Sequence, residues 1–523
     1  MYMGRGLTFF RDEWTFVITR DGHDATNFLS SYAGHLLLWP VAYFVFMFKA
    51  VGLDHYELYR LGALPWHLAS AVLVYLIARR RIGDVVALAP AGVLLFLGSS
   101  WMNILWPFQL AFTGAIAFGL GAVLALQRND LLGDAAACLL LVIAIGWSGV
   151  SLPFLPGVAV GLLLGGRLLK RVWVIAVPAA AYLVWLQKFG DQQLDYAGNL
   201  VHAPSYTLKM VGAGITGITG LPIEAGPYLA LLLAAIAIAR LWQVGRSSPL
   251  AWEALAMALA FWFLTAIARA QDNDPTALRY IYPSAVFLLL LAVGLAPRGA
   301  PRPNVAIVVL GLAVLTIPTN LAGFRAGRSD LLFTSNITSA ELGAIELARD
   351  VVDPEYAPEL NGFSNAVGSG YFFAATVRYA SSPADTPEEI AGSPEYARRR
   401  ADTVLTDALQ VRLRRVPPGL RLESRGCSTL RGAKIEETTM LPRSGLLLRN
   451  GSPAPVRLGL RRFATSFQRM PQAIPQGAGA RLRVTRDRAP RWPWYVGIEA
   501  SRGPVTVCRI APNPPASPKG RSR

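Results

Sequence analysis

Long apolar runs separated by short basic connectors fill the chain from about residue 60 to residue 321. Each run is close to the ~20 residues that a helix needs to cross a bilayer. The pattern predicts a polytopic α-helical membrane domain of about ten spans. The predicted spans are residues 60–78, 85–100, 106–126, 134–148, 152–166, 171–187, 227–243, 250–268, 279–296 and 304–321.

The apolar run over residues 34–51 does not fit this alternation. Counted as a crossing, it would place the basic triplet at residues 79–81 on the wrong face of the membrane. We therefore predict a helix in the outer interface, which suits its aromatic residues, Pro40 and Lys49. The alternative is an ordinary span with the alternation shifted.

After Phe324 the pattern changes to charged residues, prolines and short alternating segments. A capped amphipathic helix is predicted over residues 338–352, with Ser339 at its start. Alternating segments then predict strands of an antiparallel sandwich at 444–450, 455–463, 480–487 and 494–500. The predicted division is a polytopic membrane domain at 1–324, an α+β or β-sandwich domain at 325–511, and a disordered tail at 512–523.

Composition and charge give the location. The 523 residues are 53% hydrophobic and only 16% charged, with a net charge of +17, which excludes an ordinary soluble enzyme. One set of connectors carries most of the basic residues, so these connectors are assigned to the cytoplasm. The other connectors, at 99–109, 146–153, 190–226 and 268–283, are poor in Lys and Arg and are assigned to the outside. The same count predicts a multi-pass plasma-membrane protein whose C-terminal domain is extracytoplasmic, and no cleavable signal peptide is visible.

An adjacent acid pair, Asp12 and Glu13, lies among the aromatic residues Phe9, Phe10 and Trp14. Carboxylates are costly to place in apolar surroundings, and groups held at such a cost are often catalytic. The alternative is a pair of solvated residues in a short N-terminal tail. The position of the pair before the predicted interfacial helix favours a function.

At this point the chain resembles the GT-C glycosyltransferases, and within them the protein O-mannosyltransferase and aminoarabinose-transferase branch. The resemblance rests on the acid pair, the Gly-His-Leu-Leu step at 34–37, the segment YRLGALPWHLASAVLVYLIARRRIG at 59–83, and the Arg-Tyr step at 279. It implies an inverting single displacement that moves a sugar from a polyprenyl-phosphate donor to an acceptor hydroxyl outside the cell. The branch has His-Pro-Pro-Leu where this chain has His35, Leu36 and Leu37. The branch also has a helix before the acid pair. Either the start of this chain is misassigned and the true start lies upstream, which we expect, or the protein has lost that helix.

The resemblance assigns the catalytic base to Asp12, with Glu13 as its neighbour, and gives His35 a place in the donor site. Arg279 is the first candidate for binding the donor phosphate, and Arg60 and Arg269 are lesser candidates. An arginine at the mouth of a span can instead be a snorkelling anchor. His23 and Asp24 could bind a divalent cation together with Asp12, although the unspecific spacing favours a plain polar loop; no other cofactor is predicted.

In the C-terminal domain, Trp492, Trp494 and Tyr495 could stack on a sugar ring, or they could be core residues. Cys427 and Cys508 are predicted to form a disulfide, since an oxidising exterior favours pairing. The arginine excess suits an anionic cell-wall polymer or lipid headgroups, or it merely keeps the domain soluble. The dinucleotide-like GAGITG at 212–217 is interpreted as a chance match in an outer loop.

Three function classes stay open on the sequence. The first is the transferase, whose partners would be a polyprenyl-phosphate sugar donor, a cell-wall glycan or glycoprotein acceptor and the bilayer, with no nucleic acid. The second is a transporter of a lipid-linked glycan, which should show charges deep in its spans and an internal repeat. The third is a non-catalytic scaffold or glycan-binding protein.

Overall fold

The structure is a computed structural model that describes residues 2–190, 196–244, 248–358, 368–417, 424–500 and 503–511. The predicted disordered tail at 512–523 lies outside the described residues. The chain divides into two compact units. The membrane unit consists of Met1–Arg5 and Thr15–Leu331, and the second unit consists of Gly6–Trp14 and Leu332–Arg523.

Helices form the membrane unit. In chain order they are α1 (Asp12–Thr19, which begins in the second unit), α2 (Ala25–Leu29), α3 (Leu38–Ala50), α4 (Tyr56–Ile82), α5 (Asp84–Leu95), α6 (Trp101–Leu105), α7 (Leu110–Leu126), α8 (Leu131–Trp147), α9 (Phe154–Leu164), α10 (Leu168–Arg171), α11 (Trp173–Phe189), α12 (Tyr196–Thr219), α13 (Gly226–Val244), α14 (Pro249–Arg269), α15 (Leu278–Leu295), α16 (Pro303–Leu315) and α17 (Ile317–Leu347, which ends in the second unit).

Seven helical segments within the described residues are long and apolar enough to cross a membrane. They are Tyr56–Ile82, Asp84–Leu105, Pro107–Leu126, Ile223–Gln243, Pro249–Arg269, Leu278–Leu295 and Pro303–Leu347. The chain is therefore a multi-pass membrane protein. The predicted spans at 134–148, 152–166 and 171–187 are also helical, but they are shorter, at 17, 11 and 17 residues for α8, α9 and α11. The predicted interfacial helix is α3, whose 13 residues extend only ~20 Å.

The predicted outer loop at 190–226 is wrong, because α12 occupies most of it. This helix packs against α13, α14 and α15. The GAGITG segment is accordingly helical, and Gly212 and Gly226 bring the backbones of α12 and α13 together, since a Cβ on Gly212 would lie 2.5 Å from the carbonyl carbon of Gly226. Small residues therefore serve helix packing here, which their letters alone did not reveal.

The border between the predicted domains also differs from the prediction. The sequence indicated a span ending at residue 321 and a new helix starting near Ser339, whereas α17 runs without interruption through both positions. Residues 325–337 are polar enough to lower the hydropathy, but they contain no Pro or Gly-rich turn that would end a helix.

In its described residues, the second unit contains three further helices and two antiparallel sheets. The helices are α18 (Ser369–Tyr379), α19 (Pro387–Gly392) and α20 (Glu395–Ala408). The strands are β1 (Leu413–Val416), β2 (Ser424–Leu430), β3 (Ile435–Leu441), β4 (Leu446–Asn450), β5 (Val456–Arg461), β6 (Gln468–Ile474), β7 (Gly479–Leu482), β8 (Trp494–Ala500) and β9 (Val505–Ile510). One sheet has the order β1-β7-β4-β9-β2 and the other β3-β8-β5-β6. Each of the four predicted strand segments contains a strand, but in the segment 480–487 the strand ends at Leu482.

A buried carboxylate joins α20 to the sheets. Asp402 accepts the backbone N–H groups of Arg462, Phe463 and Ala464 at 2.8–3.2 Å, so it fixes the turn after β5. The guanidinium of Arg462 is buried beside Asp487, with which it forms an ion pair. Because both charges are paired and hydrogen-bonded, their burial is compatible with a stable core.

Candidate functional site

A tight turn carries His35. The backbone groups of Tyr32 and His35 exchange both hydrogen bonds, at 2.9 and 3.1 Å, and the two residues between them have positive φ, 51° at Ala33 and 80° at Gly34. This is the geometry of a type I′ turn. A left-handed conformation is unfavourable for alanine, so other contacts must hold the turn in place.

Two arginines supply those contacts. Arg20 is buried and donates to the carbonyl groups of Asn27 and Ser30, at 2.6 and 3.3 Å, just before the turn. Arg269, the last residue of α14, donates to the carbonyl of Ala33 within the turn. On its other side, His35 lies against Gly149, where a Cβ would come within 2.7 Å of the ring Nδ1. The sequence analysis did not single out Gly149, whose role depends on this close approach.

Arg279 lies in the first turn of α15. Its guanidinium donates to the side-chain oxygen of Asn273 and lies over the ring of Tyr280, with Cζ 4.9 Å from the ring centroid. Within the described residues, neither Arg279 nor Arg269 forms an ion pair with a carboxylate. The partners that the structure shows for the two arginines are neutral, the carbonyl of Ala33 and the side chain of Asn273, so their positive charge can attract an anion.

Two nearby guanidinium groups affect the pKa of His35. Burial, followed by the charges of Arg269 and Arg279, lowers the pKa of His35 to about 4. The imidazole is therefore neutral at pH 7, with one ring N–H as a donor. We call His35, Arg269 and Arg279 the cationic cluster. Fixed guanidinium groups beside a neutral N–H donor suit a phosphate group.

A buried polar network contacts the backbone of Arg279. Ser100, Asn103 and Gln109 are each at most 3% exposed. Ser100 Oγ donates to Asn103 Oδ1 at 2.8 Å, and Asn103 Nδ2 contacts both Gln109 Oε1 and the backbone carbonyl of Arg279 at 3.3 Å. Sequence reasoning missed these residues. Their signal was the group of polar residues inside an aromatic-rich connector at 99–109, which was interpreted only as a mark of the outer face.

The other predicted ligands lie elsewhere. Arg60 packs against the N-terminal turn, so closely that a Cβ on Gly4 would overlap its guanidinium. His23 pairs with Asp21 at 3.0 Å, and Asp24 caps α2 by accepting the N–H of Asn27 at 2.8 Å. No group of three potential metal ligands occurs among the described residues, so the structure does not assemble the predicted cation site of Asp12, His23 and Asp24.

The acid pair forms the first turn of α1. Glu13 is fully buried, and its Oε2 accepts the backbone N–H of Phe10 at 2.8 Å, which is the reciprocal half of a capping arrangement. Asp12 is only partly buried. Arg11, directly before it, has a φ of 49°, so the chain is strained at this point. The two carboxylates therefore have different surroundings: Glu13 is buried and hydrogen-bonded to the backbone, and Asp12 is the more exposed of the two.

The predicted sugar platform is only partly available. Trp494 is 6% exposed and Arg462 lies over its ring at 5.3 Å, so Trp494 belongs to the core and its prediction as a stacking surface is wrong. Trp492 packs on Phe463, with ring centroids 5.4 Å apart, and Arg461 lies over Tyr495 at 5.1 Å.

The predicted disulfide is present, since Cys427 and Cys508 are joined.

Known proteins offer likeness in structure only. No protein-family model matches the chain, and no curated protein matches it in sequence. The chain is similar to the crystal structure of ArnT from Cupriavidus metallidurans bound to undecaprenyl phosphate, with 16% identity, a TM-score of 0.44 and coverage of 73% of this chain and 82% of that one. It is also similar to the structure of the same protein in the apo state, with 16% identity, a TM-score of 0.43 and coverage of 76% of this chain and 85% of that one.

The chain is also similar to the cryo-EM structure of the arabinosyltransferase EmbB from Mycobacterium smegmatis, with 12% identity, a TM-score of 0.32 and coverage of 97% of this chain and 63% of that one.

Proposed function

We propose that the protein is an inverting glycosyltransferase that moves a sugar from a polyprenyl-phosphate donor to an acceptor hydroxyl on the outer face of the membrane. The observation that supports this best is the cationic cluster. It offers a neutral imidazole and two guanidinium groups that have no carboxylate partner among the described residues, at the ends of membrane helices. A lipid-linked phosphate is an anion that stays at the membrane, and it suits such a site.

In the proposed reaction the acceptor oxygen attacks the anomeric carbon as the bond from that carbon to the phosphate oxygen breaks. The leaving polyprenyl phosphate gains a negative charge, and preorganised donors stabilise a charge that develops in the transition state. Arg269 and Arg279 would supply that stabilisation, with the His35 N–H as a third donor. Because the leaving group is already a good one, it needs no protonation by an acid.

The acceptor hydroxyl must lose its proton, which requires a base. By the sequence resemblance this role falls to Asp12, and its partial exposure is compatible with it. Glu13 is the matched control, since its carboxylate already accepts a backbone hydrogen bond. We expect Asp12→Asn to abolish transfer at unchanged expression, whereas Glu13→Gln should chiefly lower thermal stability. Equal transfer by Asp12→Asn and the parent chain would exclude this base.

The donor site is tested in membranes with radiolabelled polyprenyl-phosphate sugars and a panel of acceptors. We expect Arg279→Gln to reduce kcat/KM by about 10²-fold or more, as is typical when one charge-stabilising donor is lost. Arg279→Lys keeps the charge but loses the planar fork, so it should recover only part of the activity. Arg302→Gln, at an exposed position before α16, is the charge-matched control. Similar losses in Arg279→Gln and Arg302→Gln would contradict the assignment.

A further inference from the structure

The five-stranded sheet of the second unit carries a row of arginines on one face. Arg414 of β1 and Arg481 of β7 are directly opposite each other in the register. Arg412 comes directly before the first paired residue of β1, and Arg483 directly after the last paired residue of β7. Each is two residues from Arg414 or Arg481 and so continues the same face. Arg449 of β4 lies on the same face, because it is opposite Gly479, two residues from Arg481. We call these five residues the arginine face.

The side-chain packing keeps the charges together. A Cβ on Gly479 would lie only 3.8 Å from Cγ of Arg449, so the stem of Arg449 extends over this glycine. The neighbours across the sheet are Thr506, opposite Arg449, and Thr429, whose hydroxyl groups are 3.2 Å apart. The exposed part of this face therefore presents guanidinium and hydroxyl groups.

The charges of the arginine face lack carboxylate partners in the part of the chain that the structure describes. Within the described residues, no member of the arginine face forms an ion pair, although six other arginines of the second unit do: Arg349, Arg398, Arg400, Arg462, Arg469 and Arg488. Nε of Arg481 is buried and has no hydrogen-bond partner there. Like charges directly opposite on neighbouring strands are destabilising, because their Cβ atoms are only about 4.5–5.5 Å apart. A bound anion would remove this cost.

We infer that the arginine face binds a linear anionic polymer, such as a polysaccharide with carboxylate or phosphate groups along its chain. Guanidinium groups bind both kinds of anion with two parallel hydrogen bonds. Residues in register on neighbouring strands are spaced about 4.8 Å apart, so the face offers a series of charges rather than a single pocket. This binding does not depend on the transfer reaction.

A soluble polymer fits this face better than a membrane surface does. Peripheral binding to a bilayer usually buries exposed apolar side chains beside the basic ones. On this sheet the apolar neighbours Leu447, Cys508 and Ile510 are buried in their own cluster. No large exposed apolar side chain occurs on the described strands of the sheet.

The test uses the full-length protein in detergent and measures its binding to polygalacturonate and to long-chain polyphosphate, with uncharged dextran as a negative control. We expect binding to either polyanion to weaken at least tenfold when Arg414, Arg449 and Arg481 are all changed to Gln. The slope of log affinity against log salt should also fall, by up to about one for each arginine removed. Disulfide content and thermal unfolding of the variant show whether the domain has folded.

The matched control changes three exposed arginines outside the face, Arg457, Arg486 and Arg491, to Gln. It removes the same charge and should retain binding within about twofold. Equal weakening by both triple variants would overturn the proposal, because net charge alone would then explain binding. Absence of binding to both polyanions, or binding only to vesicles of anionic phospholipid, would also overturn it. A variant that fails to fold is replaced by the single change Arg449→Gln, which should still weaken binding measurably.

Discussion

His35 shows how strongly its neighbours determine the behaviour of a single residue. Its ring is held by a left-handed turn, by the backbone at Gly149 and by two nearby guanidinium groups. The sequence could suggest that this histidine belongs to a donor site, because of the step that follows it. It could not predict that the imidazole is neutral, since the pKa depends on contacts with residues more than 200 positions away.

The lowered pKa of His35 gives a pH dependence whose sign can be derived. A bound phosphodiester places a negative charge near the ring and raises the pKa from about 4. The complex then binds more protons than the free protein, so affinity should rise as pH falls from 7 towards 5. A one-unit rise in pKa would strengthen binding about twofold at pH 5 and about tenfold below both pKa values.

A phosphodiester donor analogue is the suitable ligand, because its own phosphate does not titrate in this range. The dissociation constant is measured between pH 5 and 7.5 for the parent chain and for His35→Asn. The variant should show a flat profile, and a profile equal to that of the parent would contradict the argument. Folding sets the lower limit of pH, since unfolded His35 takes up a proton below about 6.5 while the folded ring does not, so stability falls as pH drops.

At the scale of elements, the beginning of α15 depends on its neighbours. Asn103 links the 99–109 connector to the backbone carbonyl of Arg279, and it is only 1% exposed. Asn103 is therefore a positioning residue. The sequence predicted α15 itself, because an apolar run long enough to cross a membrane can be recognised from the sequence alone. The polar network was not predictable, because its members gain partners only when three separate segments fold together.

We expect Asn103→Ala to lower affinity for the donor phosphodiester several-fold, because the first turn of α15 loses an anchor and a buried acceptor is left unsatisfied. Asn103→Ser, which retains a donor, should recover part of this loss. The salt dependence of donor binding separates a positioning role from general destabilisation. If Arg279 leaves the site, the slope of log affinity against log salt concentration should become smaller. Ser70→Ala, a buried polar change elsewhere in the membrane unit, is the control. Unchanged donor affinity in Asn103→Ala would exclude the role.

At the scale of the whole molecule, the sequence predicted the two types of architecture correctly: apolar helices first, and then antiparallel strands. The four predicted strand segments overlap β4, β5, β7 and β8 of the observed strands. It failed at residues 190–226 and near residue 338, where helices continue through polar positions. In both regions tertiary packing stabilises a helix that hydropathy alone does not indicate. The orientation across the membrane stays a prediction that follows from the distribution of basic residues.

Orientation can be tested by placing single cysteines in a chain whose Cys138, Cys427 and Cys508 are replaced by Ser. Cysteines at Asp272 and at Arg457 should react with a membrane-impermeant maleimide added to intact cells, whereas one at Arg128 should react only after lysis. All three positions are exposed in the structure, which contains no membrane. The opposite labelling pattern would invert the topology and exclude an extracytoplasmic donor site.

The composition of the second unit limits how it can be treated as a module. Its residues come from both ends of the chain, since Gly6–Trp14 belongs to it together with Leu332–Arg523, and the N–H of Thr8 donates to Ser335 Oγ at 3.1 Å. A gene fragment cut at the hydropathy border near residue 324 would lack the first of these segments. Domain exchange between related genes would therefore have to replace two separate stretches of coding sequence together, so the N-terminal segment and the C-terminal domain should be inherited as a pair.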